Sequence, residues 1–220
     1  MSTAATVSLR RYTRGERPMP NLRRAILDRP LMGRRRSRAT RGFTIIELMT
    51  VMAIIAVVAT VGLPSFQRMI QGAAVSGAVN SFLSDMRYAR SEAMRRGGRV
   101  VLCRSSNAEA ASPTCDNSSA PAGWATGWVV FVDLDGNGVL DPADPILKIQ
   151  PSASGLDLID DGGASKVYRF TALGRLLPGA AAVQMSFGGA AIQPSLRRTV
   201  CVLPTGAARL QPNGMASCAV

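Results

Sequence analysis

The period of apolar positions changes along the chain. Residues 1–42 show none: the stretch is polar and rich in arginine and proline, with nothing to build a packed core. Residues 43–63 form an unbroken apolar run, FTIIELMTVMAIIAVVATVGL, in which Glu47 is the sole ionisable residue. Its length of 21 residues is close to the ~20 that cross a bilayer as a helix. After Pro64, apolar residues recur with helical spacing at Phe66, Met69, Ile70, Ala73, Val79, Phe82, Leu83, Met86 and Ala93. Arg68, Asn80, Arg87, Ser91 and Arg95 occupy the other faces, Glu92 and Arg96 form an i,i+4 pair, and Gly97-Gly98 supplies the stop. The two stretches are expected to form one long helix bent at Pro64, with the C-terminal half packed on the residues after Gly98.

Beyond residue 98 the pattern shortens to strands. Candidates lie at 99–103, 124–133, 145–150, 166–170, 182–187, 198–203 and 207–210, separated by clusters of Gly, Pro, Asn and Asp. Thr205-Gly206 is the expected turn of a last hairpin. The predicted class is therefore α+β: a long N-terminal helix packed on an antiparallel β head. Its parts are 1–42, a basic leader; 43–63, a transmembrane helix; 64–98, its amphipathic continuation; and 99–220, a β-rich head.

Charge changes this picture only once it is located. The formal charge of +12 suggests nucleic acid, but residues 1–42 hold twelve of the 26 basic residues and two of the 14 acidic ones. The remainder carries fourteen basic against twelve acidic residues, a net +2. The basicity thus belongs to the N-terminal segment. Arginines before the apolar run hold that side in the cytoplasm, so the head is expected across the membrane. No Ala-x-Ala cleavage site follows the run promptly, so it is not read as a secretory signal. Histidine is absent, which excludes Ser-His-Asp and Cys-His catalysis and every histidine-based zinc site. No phosphate-binding glycine loop and no nucleophile-elbow motif is present. The chain is not expected to be an enzyme or to carry a cofactor.

A carboxylate inside an apolar helix costs ~2.5–3.5 kcal/mol near the bilayer centre and usually marks function. Glu47 can snorkel to the interface. Alternatively, a cut between Gly42 and Phe43 would create an ammonium one turn away, for Glu47 to pair with in its own or a neighbouring subunit. Arg41-Gly42-Phe43-Thr44-Ile45-Ile46-Glu47-Leu48 resembles the processing signal of type IV pilins and type II secretion pseudopilins. The resemblance implies cleavage after Gly42 by a prepilin peptidase, N-methylation of Phe43, an assembly role for Glu47 and a helix kink at Pro64. Met32 would begin a leader of more usual length, MGRRRSRATRG. The helix sequence Ser81-Phe-Leu-Ser-Asp-Met-Arg-Tyr-Ala-Arg-Ser-Glu-Ala-Met-Arg95, Val100-Val-Leu-Cys103 and Gly127-Trp-Val-Val-Phe-Val-Asp133 are similar to the GspH/FimT group of minor pilins and pseudopilins. That implies a structural subunit that primes or joins an inner-membrane-assembled filament, single-pass, with a periplasmic head. Implied partners are the prepilin peptidase, other pilin or pseudopilin subunits and an inner-membrane assembly platform. Leu63-Pro64-Ser65-Phe66 and the cysteine-bearing last hairpin favour the FimT/FimU side, serving type IV pili; type II secretion is the alternative.

Cys103, Cys115, Cys201 and Cys218 lack metal-ribbon spacing, and outside the cytoplasm disulfides are permitted. Of three possible pairings, sequence proximity favours 103 with 115 and 201 with 218; free buried thiols are the bland alternative. Asp133, Asp135, Asn137, Asp141 and Asp144 fit a calcium-loop template, yet the same residues make ordinary hairpin turns, and the plain turn is expected rather than a metal site. Some FimT-type pilins take up DNA through a Gly-Arg-x-Arg tip. The matching positions here read Gly206-Ala207-Ala208-Arg209, so nucleic-acid contact through Arg209, helped by Arg197 and Arg198, is expected to be weak.

Overall fold

The computed structural model describes residues 42–116, 121–163, 165–177, 181–212 and 218. The expected leader, 1–42, and the alternative start at Met32 lie outside them, except for Gly42. The chain divides into a unit ending at Thr44 and a second unit from Ile45 onward. The second unit is the α+β fold that the sequence predicts.

Helix α1 (Ile45–Arg96) is 52 residues long and is assigned without a break through Pro64. It stops where Gly97 and Gly98 take φ of +78° and +103°, left-handed conformations that glycine adopts at little cost. Arg99 follows at φ +61°, an uncommon conformation for a side-chain-bearing residue, and makes the bulge between Gly98 and Val100. Among the described residues, eight strands then build two antiparallel sheets. The strands are β1 (Gly98–Arg104), β2 (Trp128–Val132), β3 (Ile146–Gln150), β4 (Ile159–Asp160), β5 (Val167–Thr171), β6 (Val183–Phe187), β7 (Arg198–Val202) and β8 (Ala208–Leu210). The first sheet runs β3-β2-β1-β5 and the second β4-β6-β7-β8.

Two strand expectations are corrected. The candidate at 124–133 is a short 3-10 turn, Trp124–Thr126, followed by β2. Gly127, at φ +117°, separates them, because Gln150 passes so close that a Cβ there would stand 2.7 Å from its carbonyl oxygen. Strand β4 has no counterpart among the sequence candidates: two residues offer no alternation to read.

α1 first touches the β head at Gln71, which donates to the Ala191 carbonyl at 3.2 Å, and its buried row begins at Val75. Val75, Val79, Phe82, Leu83, Met86, Ala89 and Ala93 fill one core with residues from both sheets. Phe82 is its centre, meeting Trp124, Trp128, Tyr168 and Phe187 edge to face with ring centroids 5.6–6.4 Å apart. Phe66, Met69 and Ile70, which share the same helical period, are exposed instead. A second, smaller core of Val101, Cys103, Ala108, Val129, Phe131 and Leu140 lies on the opposite face of the first sheet. Parity explains the division: Val100 and Leu102 of β1 belong to the first core, Val101 and Cys103 to the second.

Candidate assembly surface

From Ile45 to Ile70 every large apolar side chain described is exposed, and this part of α1 is long and apolar enough to cross a membrane. No ionisable residue occurs between Leu48 and Gln67. Both threonine hydroxyls there are satisfied within the helix: Thr50 donates to the carbonyl of Glu47 at 2.9 Å and Thr60 to that of Val57 at 2.7 Å. Pro64 has no N–H to give the carbonyl one turn back. Glu47 lies in the first helical turn, where the positive end of the backbone dipole favours a carboxylate. Phe43 is exposed, and a Cβ added at Gly42 would meet nothing within 4 Å. Glycine at 42 is therefore not required by packing.

The rest of α1 is locked to the β strands through a buried carboxylate, one of several polar contacts that sequence reasoning missed. Asp85, fully buried, accepts from the indole of Trp128 at 2.9 Å and from the ammonium of Lys148 on β3. Trp124 donates in the same way to buried Asp161 at 3.1 Å. The available signal for Asp85 is a carboxylate between Leu83 and Met86 on an apolar face. Burial pushes the Tyr168 phenol well above its ordinary range, and the nearby charge of Asp161 adds to this. Arg95 and Arg96 both grip Glu92 and hold its carboxyl at about 2. Asp157 accepts from the amides of Ala191 and Gly189, which lowers its carboxyl below the usual value.

Of the other residues singled out from sequence, Cys103 is bonded to Cys115, and Cys201 to Cys218. The first bond sits in the smaller core; the second ties the chain beyond β8 back to β7. In the Asp-rich turn the carboxylates are directed to the turn's own backbone. Asp133 accepts from Gly136 and Gly138, Asp144 from Leu134 and Asp141, and Asp135 from Asn137. Arg169 pairs with Asp133 and Arg99 donates to the Leu134 carbonyl, pinning the turn to β5 and β1. Among the described residues no group of three His, Cys, Asp or Glu is arranged to hold a metal ion.

Arg209 pairs in register with Cys201, on the face turned from the core, whereas Arg198 shares the parity of Val200 and Val202, which face it. Arg197 donates to the Ile192 carbonyl and Arg198 to that of Ser195, so both serve the turn before β7.

Residues 78–206 match the family described as type II transport protein GspH, and residues 37–63 match the prokaryotic N-terminal methylation motif. No curated protein matches the chain. Among solved structures, two crystal forms of the type IV minor pilin FimU of Pseudomonas aeruginosa are similar. One is 18% identical with a TM-score of 0.49, covering 66% of this chain and 92% of its own. The other is 19% identical with a TM-score of 0.47, covering 65% of this chain and 97% of its own.

Proposed function

The chain belongs to the GspH family of minor pilins and pseudopilins, and from that membership we propose how it works. A prepilin peptidase cuts between Gly42 and Phe43 and methylates the new N-terminus. The mature subunit then waits in the inner membrane on the apolar half of α1, with the head in the periplasm, until it joins or primes a filament. Its role is structural rather than catalytic. The observation that carries this reading is the bare apolar half of α1, continuous with a helix locked into a folded β head. Such a surface needs a low-dielectric partner, and a bilayer and a bundle of like helices both supply one.

Glu47 acts in assembly. A carboxylate at the start of an apolar helix is costly in lipid alone, but the cost is offset when it meets the ammonium of a processed neighbour. Arginines ahead of the apolar run set the orientation. The filament we favour is a type IV pilus, with the Leu63-Pro64-Ser65-Phe66 stretch and the disulfide-stapled last hairpin as support. The other partners are further pilin subunits and the inner-membrane assembly platform.

Intact-mass analysis of protein from cells with a prepilin peptidase tests the proposal. The expected chain begins at methylated Phe43, and a mature terminus anywhere else would overturn it. Gly42→Ala should be tolerated or slow the cut, whereas a bulky residue should block it. Both should leave the fold alone, since the space around position 42 is open.

A further inference from the structure

Strand β3 is the outer strand of its sheet, bonded to β2 along one side only. Beyond that ladder, no backbone hydrogen bond reaches residues 146–150 from any described residue. Open edges are commonly guarded by exposed charges, by inward-pointing charges or by bulges. On β3 the one charge, Lys148, is tied to the buried carboxylate of Asp85 with its side chain 41% exposed, and the bulge lies at Leu147, so that Lys148–Gln150 stays regular. What the strand presents instead is Ile146 and Ile149, 40% and 41% exposed. The register dictates this, because they pair with Phe131 and Val129, whose side chains face away from α1.

A depression lies on each side of this edge. On the outer face a cavity of about 260 Å³ is walled by Pro113, Leu140, Pro142 and Ile146 and bordered by Asp141. On the helix face a groove of about 340 Å³ runs between Ala78 and Ser81 of α1 and Gln150 and Ser152. Successive residues of an extended chain point to opposite faces. A strand laid along β3 would therefore send alternate side chains to the two faces, reaching the outer cavity at the Ile146 end and the groove at the Gln150 end.

We propose that the free edge of β3 is an acceptor for an extended segment of another protein, bound by strand addition. Its chemistry follows from the two faces. Aliphatic side chains at alternate positions cover Ile146 and Ile149 and enter the outer cavity. A lysine or arginine at the next position on that face meets Asp141, whose carboxylate takes one side-chain hydrogen bond, from Asn137, and keeps lone pairs free. Small or polar side chains face the groove, which Ser81, Gln150 and Ser152 make polar. A second copy of β3 is a poorer match: it would bring isoleucines but no cation to Asp141, since Lys148 is committed to Asp85. The site stands whether or not the chain enters a filament.

The test uses the full chain in detergent micelles and a fluorescein-labelled peptide, Gly-Val-Ser-Val-Gln-Arg-Ser, followed by anisotropy. Saturable binding is expected. Ile149→Lys, which places a charge on the open edge, should weaken it at least about tenfold while leaving the melting temperature within a few degrees. Asp141→Asn should weaken binding severalfold for this peptide, but not for one with glutamine in place of arginine. Absence of saturable binding up to about 1 mM, or equal binding by wild type and both variants, would overturn the proposal. Self-association of the chain alone that Ile149→Lys abolishes would assign the edge to a second copy and overturn the stated occupant.

Discussion

At Asp85 a carboxylate inside an apolar face holds two elements at once, α1 through its own backbone and the sheet through Trp128 and Lys148. Asp85→Ala leaves the buried indole N–H without its acceptor and Lys148 without its counter-charge. It is expected to lower stability by about 3 kcal/mol, read from the urea midpoint. Asp157 offers a contrasting residue, since it is exposed and works by accepting the Gly189 and Ala191 amides. Its folded-state carboxyl lies below the ordinary 3.8. The contribution is therefore complete above that value and lost as pH falls below it. Asp157→Ala should cost about 1 kcal/mol at neutral pH and flatten the acid limb of the stability curve. Melting temperatures between pH 2 and pH 7, wild type against variant, would show the two curves converging in acid. For Glu47 the measurement is assembly. Glu47→Val should insert in the membrane as well as wild type or better, because the charge cost is gone, yet enter filaments less. A variant that assembles like wild type would remove the pairing role.

Among the elements, the disulfides separate two kinds of staple. Cys103–Cys115 closes a loop of sequence separation 12 over the smaller core, and Cys201–Cys218 one of 17 that returns the segment beyond β8 to β7. Each such loop contributes on the order of 3 kcal/mol in the chain-entropy model. Cys201→Ser should accordingly lower the melting temperature by several degrees or more, measured on the otherwise oxidised chain. Most strands are legible to within a residue because Gly, Pro, Asn and Asp punctuate them. The features that sequence leaves hidden depend on contacts distant along the chain. The break at Gly127 exists because Gln150 passes close by, and β4 exists because Ile159 and Asp160 lie against Phe187 and Ser186. Phe66, Met69 and Ile70 carry the same period as Phe82 and Met86, so no pattern tells where α1 meets the strands. The motif before the helix is readable by its order of residue types. The polar anchors are not, since a buried carboxylate shows itself only by the partners that folding brings to it.

For the molecule as a whole, the placement of charge argues against tight nucleic-acid binding. Arg209 and Arg198 lie on opposite faces of their sheet, and Arg197 and Arg198 are engaged with backbone carbonyls. Two or three separated phosphate contacts support only weak association, each adding nearly one unit to the log–log salt slope. The full chain in detergent should bind duplex DNA weakly or not at all at physiological salt. Tight binding that survives ~200 mM salt would make DNA reception the leading role. The seven apolar side chains that α1 buries, from Val75 to Ala93, have a mechanical meaning too. They span eighteen helical steps, about 27 Å at 1.5 Å per residue. If the subunit joins a filament, tension would pull on it by its bare half-helix, and that load would enter the head at Gln71, which donates to the Ala191 carbonyl, and at Val75, ahead of the helix stop at Gly97. Force along the axis thus drags all seven side chains past their neighbours together, in shear, instead of peeling them off one at a time. The helix serves as the tendon of the subunit and its buried row as the insertion, so the grip should fail at a single high force rather than creep.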